Sequence, residues 1–244
     1  MRLVLYNIRY ATGTGWNYHV PVPFYGLLRK TSGHIRKISS FLSSLSPDIV
    51  GLVETDSGSF RQDGISQADE VAEAIGGKSV FACKYLDGSV ASKAPVLKSQ
   101  GNAAVSRLPI LSSREHFLSR GFKRTLLEVE FEKFNFFLMH LSLGYETRKV
   151  QIGEIADVCA SSGKPVVLAG DGNTFGGKRE LAPLVKRAGL RDANGSALPT
   201  YPSGMPSLSL DVVMYSEGIR MERLEIRQVG LSDHLPVICD FSVM

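Results

Sequence analysis

Cysteine is scarce in this chain: Cys83, Cys159 and Cys239 are the only three in 244 residues. They stand far apart, each in an apolar stretch, which excludes a disulfide framework and any Cys-x-x-Cys metal spacing. The expectation is buried thiols in a reducing compartment. Long apolar runs are missing as well, so nothing is long enough to span a bilayer. Met1 leads straight into a strand pattern, and no secretory leader is expected. A cytoplasmic protein without stable membrane insertion is the expected class. Charge of one sign is not in excess either. The formal net charge is +4, from 28 basic and 24 acidic residues, too mild to assign nucleic acid as a partner and no barrier to a phosphate-bearing substrate. There is no internal repeat, no low-complexity linker and no sign of an obligatory protein partner. One domain over 1–244 is the simplest division. A Gly-x-Ser-x-Gly elbow is also lacking. Ser232, Asp233 and His234 are consecutive and cannot easily form a serine-hydrolase relay, so that chemistry is set aside.

What is present is an ordinary globular composition, 43% hydrophobic and 21% charged, arranged in alternating strand and helix patterns. Strands are expected at Arg2 to Ile8, Ile49 to Glu54, Val80 to Tyr85 and Ala103 to Ser106. A hairpin is expected from Thr125 to Leu141, turning near Lys133-Phe134. A buried strand from Val166 runs into a turn at Gly170-Asp171-Gly172-Asn173. Three more close the chain: Leu210 to Tyr215, Ile219 to Ile226 and Leu235 to Phe241. Helical spacing appears from Ile35 to Leu45, Gln67 to Ile75, Arg148 to Cys159 and Arg179 to Ala188. Hairpins mixed with helices favour sheets covered by helices over a doubly wound parallel sheet. A long Gly-, Pro- and aromatic-rich loop, Ala11 to Tyr25, carries Trp16, Tyr18, Phe24 and Tyr25 and has the length of a functional loop.

Polar residues recur at strand ends: Asn7, Glu54, His140, Asp171, Asn173, Asp211 and His234. Each has a bland reading. Asn7 can form a turn, Glu54 can be a surface carboxylate, His140 can be a satisfied core histidine, and Asp171 and Asn173 can cap backbone amides. Together they are a costly coincidence, because unpaired carboxylates in a core destabilise it by several kcal/mol. If these strand ends share one sheet edge, they form a pocket of hard oxygen donors and two imidazoles. Such a donor set suits Mg²⁺ or Mn²⁺ rather than zinc. A carboxylate, Asp171 or Asp211, can orient His234 through space.

Taken as an ordered set, the motifs resemble the endonuclease/exonuclease/phosphatase superfamily, the metal-dependent phosphoesterases related to deoxyribonuclease I. The segments are the strand into Asn7, Pro47-Asp-Ile-Val-Gly-Leu-Val-Glu54, Gly101-Asn-Ala-Ala-Val-Ser-Arg-Leu-Pro109 and Met139-His-Leu141. Gly170-Asp-Gly-Asn173, Thr200-Tyr-Pro-Ser203, Leu210-Asp211 and Ser232-Asp-His234 complete the set. The resemblance implies an α/β four-layer sandwich, two mixed β-sheets packed face to face with helices on the outer sides, and a site at one rim. It implies that Glu54 binds the divalent cation with Asn7 close by, and that Asp233 is a second candidate metal ligand. It implies that Asp171 activates water and Asn173 holds a phosphate oxygen. His140 would be a second phosphate donor. His234, oriented by Asp211, would stabilise the phosphoryl oxygens or assist proton transfer. Asn102 and Trp16 are assigned to substrate binding. Two departures stand out: Val53 precedes Glu54 where family members carry Gln, and Ser209-Leu210 replaces a pattern containing Arg. His140 is similar to the deoxyribonuclease I, sphingomyelinase and phosphoinositide-phosphatase branches. The expected activity is divalent-metal-dependent hydrolysis of a phosphoester by a phosphodiesterase or phosphatase, with nucleic acid and a phospholipid or small phosphodiester both open as substrate. The alternatives are a nuclease acting on DNA or RNA and an inactive binding module of the same fold.

Overall fold

The computed structural model describes residues 1–14, 30–84, 97–121 and 124–244. In chain order the elements are β1 (Arg2–Asn7), α1 (Ser32–Ser44), β2 (Ile49–Asp56), α2 (Gln67–Ile75), β3 (Lys78–Cys83) and β4 (Gln100–Ser106). Next come β5 (Ser112–Phe117), β6 (Thr125–Glu130), β7 (Asn135–His140), α3 (Tyr145–Ala160) and β8 (Val166–Asp171). The last are α4 (Ala182–Ala188), β9 (Arg191–Asp192), β10 (Asp211–Tyr215), β11 (Ile219–Ile226) and β12 (Val237–Val243).

The strands make two six-stranded sheets, ordered β11-β12-β1-β2-β4-β3 and β5-β6-β7-β8-β10-β9. Each has one parallel pair at its centre, β1–β2 and β7–β8. Every other pairing is antiparallel. A parallel pair needs a crossover, and α1 and α3 supply it. Period-2 alternation then divides the side chains. Leu3 and Leu5 of β1, Phe136 and Leu138 of β7, and Val167 and Ala169 of β8 fill the space between the sheets. Val4 and Tyr6 turn outward onto Ile35, Ile38 and Leu42 of α1. Phe137 and Met139 turn outward onto Ile152 and Ile155 of α3. Each fully buried Leu, Ile or Phe contributes roughly 1.5–3 kcal/mol. The architecture is the expected α/β four-layer sandwich.

Helix ends follow the sequence where capping residues exist. At α2 the Ser66 hydroxyl accepts from the Asp69 amide, Asp69 and Glu70 occupy the first turn, and Gly76 closes the helix at φ +72°. All three features stabilise a helix of these bounds. Elsewhere the structure departs from expectation. Two strands, β5 and β9, carried no signal. β5 (Ser-Ser-Arg-Glu-His-Phe) is an edge strand exposed along most of its length, so it shows no apolar alternation. The stretch Arg179 to Ala188 divides into a 3-10 turn, Lys178–Leu181, and the short α4, whose first turn contains Pro183. Gly170 and Asp171 belong to β8 rather than to the turn, because ladder pairing with β7 and β10 continues through Asp171. Cys159 and Cys239 are buried as expected, and burial pushes both thiols up to about 12. Cys83 is only half-buried, since β3 lies at a sheet edge. No helix among the described residues is long and apolar enough to cross a membrane. Trp16, Tyr18, Phe24 and Tyr25 lie outside the described residues.

Candidate active site

The inward-facing apolar series of several strands ends in a polar residue at the same rim. In β1 the series Leu3, Leu5 continues to Asn7, and in β7 the series Phe136, Leu138 continues to His140. In β8 Val167 and Ala169 are followed by Asp171, and in β10 Val213 is preceded by Asp211. The ladder places His140, Asp171 and Asp211 side by side: His140 pairs with Asp171, and Asp171 with Asp211. One row across three strands thus carries three of the expected residues. Their approach depends on Gly170, at φ +153°, where an added Cβ would lie 1.9 Å from the Met139 carbonyl oxygen.

Glu54 arrives by a different device. Ile49 and Val53 of β2 face the space between the sheets, so strict alternation would turn Glu54 outward and Thr55 inward. A β-bulge between Leu52 and Thr55 breaks the alternation. Glu54 takes φ +55°, an uncommon conformation for a residue with a side chain. Thr55 then points outward to Gln67 of α2, while the Glu54 carboxylate turns to the rim, with Oε1 3.7 Å from His140 Nε2. The Asn102 side-chain carbonyl accepts from the Glu54 amide at 3.2 Å and holds the bulge. Asn102 is therefore tied to the backbone of Glu54.

Asp171 is the hub. Its Oδ2 accepts from Asn7 Nδ2 at 3.1 Å and its Oδ1 from the Asn173 amide at 3.0 Å. The same Oδ2 lies 3.5 Å from His140 Nε2 and 3.9 Å from His234 Nε2. Asn173, at φ +47°, donates one side-chain hydrogen to the Leu141 carbonyl at 2.8 Å. An amide nitrogen carries two hydrogens, so a second remains for another acceptor. His234 Nδ1 meets Asp211 Oδ2 at 2.8 Å, and Tyr201 packs on the imidazole with ring centres 4.8 Å apart. Burial alone would push His234 down. The charge and hydrogen bond of Asp211, with Asp171 and Asp233 beyond, override it and raise the imidazole to about 10.

Asp233 is placed differently from Glu54. Its Oδ2 pairs with Arg9 Nε at 3.3 Å. Arg9 was not singled out by the motifs, and neither was the turn that carries it. Arg9, Tyr10 and Ala11 have φ of +49°, +53° and +54°, three consecutive left-handed residues with side chains. Each such residue costs roughly 1–2 kcal/mol. Gln67 donates to the Tyr10 carbonyl at 3.0 Å, and the Arg9 amide donates to Asn7 Oδ1 at 3.1 Å. A basic residue two positions after Asn7 was the visible signal; the strained turn had none. Lys84 is the other unanticipated neighbour. Burial pushes its ammonium below the ordinary lysine range, against the pull of the Glu54 carboxylate, and it shares a recess with Asn102, Arg124 and His140.

Among the described residues no three His, Cys, Asp or Glu side chains form a ready-made metal cage. The donors gathered here are hard oxygens, the Glu54 and Asp171 carboxylates and the Asn7 side-chain carbonyl, with no thiolate. That chemistry fits Mg²⁺, which keeps several waters and takes only one or two carboxylates from the protein.

The family model described as the endonuclease/exonuclease/phosphatase family matches residues 6–234. No curated protein matches the sequence significantly. Among solved structures, an endonuclease/exonuclease/phosphatase from Beutenbergia cavernae is similar at TM-score 0.73 and 21% identity, covering 100% of this chain and 71% of its own. The mannosyl-6-phosphatase of Bacteroides thetaiotaomicron is similar at 0.69 and 15%, covering 99% of both chains. The human Nocturnin catalytic domain with bound sulfate is similar at 0.66 and 17%, covering 100% of this chain and 93% of its own. At these identities the structures speak for the fold, while the family match spans nearly all of the sequence. The chain belongs to the endonuclease/exonuclease/phosphatase family.

Proposed function

We propose that the protein hydrolyses a phosphoester with a bound divalent cation, by in-line attack of water at the rim where Asn7, Glu54, His140, Asp171 and His234 meet. The observation that carries this reading is Asp171. Two donors, Asn7 Nδ2 and the Asn173 amide, fix its carboxylate between two imidazoles. A carboxylate held on both oxygens has its remaining lone pairs aimed in set directions. It can orient a water and take its proton.

Glu54, with the Asn7 side-chain carbonyl beside it, would hold Mg²⁺ or Mn²⁺. The cation would neutralise charge on the phosphate. Asp233 is paired with Arg9 and is the less direct candidate ligand. His234, kept cationic by Asp211, is a poor base at neutral pH and a good donor. Its Nε2 hydrogen is available to a phosphoryl oxygen as charge develops there. His140 Nε2 and the second Asn173 hydrogen supply further donors to the same anion. Asn102 sets the position of Glu54 through its backbone.

The test is release of phosphate, or cleavage of a diester, that needs added Mg²⁺ and stops with chelator. A panel of sugar phosphates, nucleotides, phospholipids and short oligonucleotides serves as substrate. Asp171→Asn should cost roughly 10²–10⁴-fold in turnover while the protein stays folded. Near-normal turnover in that variant would return Asp171 to a capping role.

A further inference from the structure

A groove of about 940 Å³ opens beside the reacting centre. Three rim segments wall it: residues 9–14 after β1, 201–205 ahead of β10, and 228–233 between β11 and β12. Its position relative to the chemistry is fixed by shared residues. Asp233 lines it and His234 follows in sequence; Arg9 lines it and lies two residues past Asn7. Tyr201 lines it and packs against the His234 ring.

The walls are tied to the catalytic segment. The Ser203 amide donates to the Asp233 carbonyl at 2.7 Å. The Ser203 hydroxyl donates to the Ser232 carbonyl at 2.6 Å. The Leu235 amide donates to the Thr200 carbonyl at 2.8 Å. These hydrogen bonds register the 200–205 wall of the groove against the segment that carries His234.

Size and charge decide what it would take. A lone phosphate fills a small fraction of such a volume, which lies in the range of pockets for small organic ligands. Arg9 and Asp233 are its only charged lining residues among the described ones, and they pair with each other at 3.3 Å. The track of a nucleic-acid strand needs several basic contacts to successive phosphates, and among the described residues this lining offers one arginine, already paired with Asp233. The rest of the described lining includes an aromatic and a thioether side chain, Tyr201 and Met205, and neutral hydrogen-bonding groups, Gln228 and Ser203. An acyl chain would have no use for those polar groups. A hydroxyl-bearing ring uses both, with its apolar face on Tyr201 and its edge on the polar side.

We infer that this groove is a subsite for the uncharged ring of a small phosphoester, a sugar either free or as part of a nucleoside. The inference rests on the hydrolytic reading above and names the substrate class for it.

Titration calorimetry in Mg²⁺ with glucose 6-phosphate, AMP and ethyl phosphate, on wild type and Met205→Lys, tests it. Met205 is 79% exposed, so its replacement puts a charge in the groove without touching the core. At least one ring phosphate should bind the wild type tenfold or more tightly than ethyl phosphate, and Met205→Lys should erase most of that advantage. Gln228→Ala, also at an exposed position, should weaken the preferred ring phosphate by several-fold. Whichever of the two ring phosphates is preferred identifies the source of the sugar. Equal binding of ring and ringless phosphates overturns the inference. So does a ten-nucleotide single strand that outbinds AMP with an affinity falling steeply in salt. Turnover is read separately. Ring-dependent binding without chelator-sensitive hydrolysis would sink the hydrolytic reading and leave the groove; hydrolysis without ring preference would sink the groove alone.

Discussion

Replacing Asp211 by Asn isolates the electrostatic pair that holds His234. The side chains are nearly isosteric, and an amide oxygen can still accept from His234 Nδ1, so the geometry at 2.8 Å survives while the charge is lost. In the native protein the imidazole is raised from 6.5 to about 10, and burial alone would lower it. A group whose folded value is raised contributes stability in full below its unfolded value and loses it as pH climbs through the folded one. From these two values the contribution is on the order of 4–5 kcal/mol near pH 6, about 4 at pH 7 and about 1 at pH 9. In Asp211→Asn the largest raising charge is gone and only Asp171 and Asp233 remain against burial, so the variant lacks most of this pH-dependent part. A pH-independent gain opposes it, because Asp211 Oδ1 is buried with no hydrogen-bond partner among the described residues. Removing that charge relieves its desolvation. The informative quantity is therefore the slope. The stability of wild type minus variant, from urea unfolding at pH 6, 7.5 and 9, should fall by roughly 3 kcal/mol across the series. In parallel, an NMR titration should show His234 deprotonating near or below 6.5 in the variant, and its activity should decline as pH rises through that value. A stability difference that stays flat from pH 6 to 9 would refute the argument.

Three further outcomes follow from single contacts. Glu54→Gln should weaken Mg²⁺ binding and remove most activity, since a neutral amide is a poorer ligand for a hard dication; unchanged Mg²⁺ affinity by calorimetry would remove Glu54 from that role. Asn102→Ala should lower stability by about 1–2 kcal/mol through the orphaned Glu54 amide and weaken Mg²⁺ binding with it. A change in substrate KM alone, at constant metal affinity, would return Asn102 to substrate contact. Gly170→Ala should lower the melting temperature sharply, because its Cβ would meet the Met139 carbonyl and the β7–β8 ladder has to part; a shift of only a degree or two would show that the strands yield easily.

Much of this molecule was legible in the chain. Apolar patterning gave β1, β6, β7 and β8, and helical spacing from Gln67 to Ile75 gave the bounds of α2, because burial acts over neighbouring residues. The polar strand ends stood out for the same reason: Asp171 and His140 close otherwise apolar strand runs. The ordered motifs then implied both the family and the sandwich. What tertiary structure alone decided is where those ends meet. The row His140, Asp171, Asp211 depends on the register of three strands that are remote in sequence. The inward turn of Glu54 depends on a bulge held by Asn102, 48 residues away. The left-handed turn at Arg9 is held by Gln67 of α2, and Asp233 is drawn to Arg9 across the rim. Local pattern reports which side chains are buried. Register, bulges and strained turns are fixed by pairing between distant segments, and no local period carries that information.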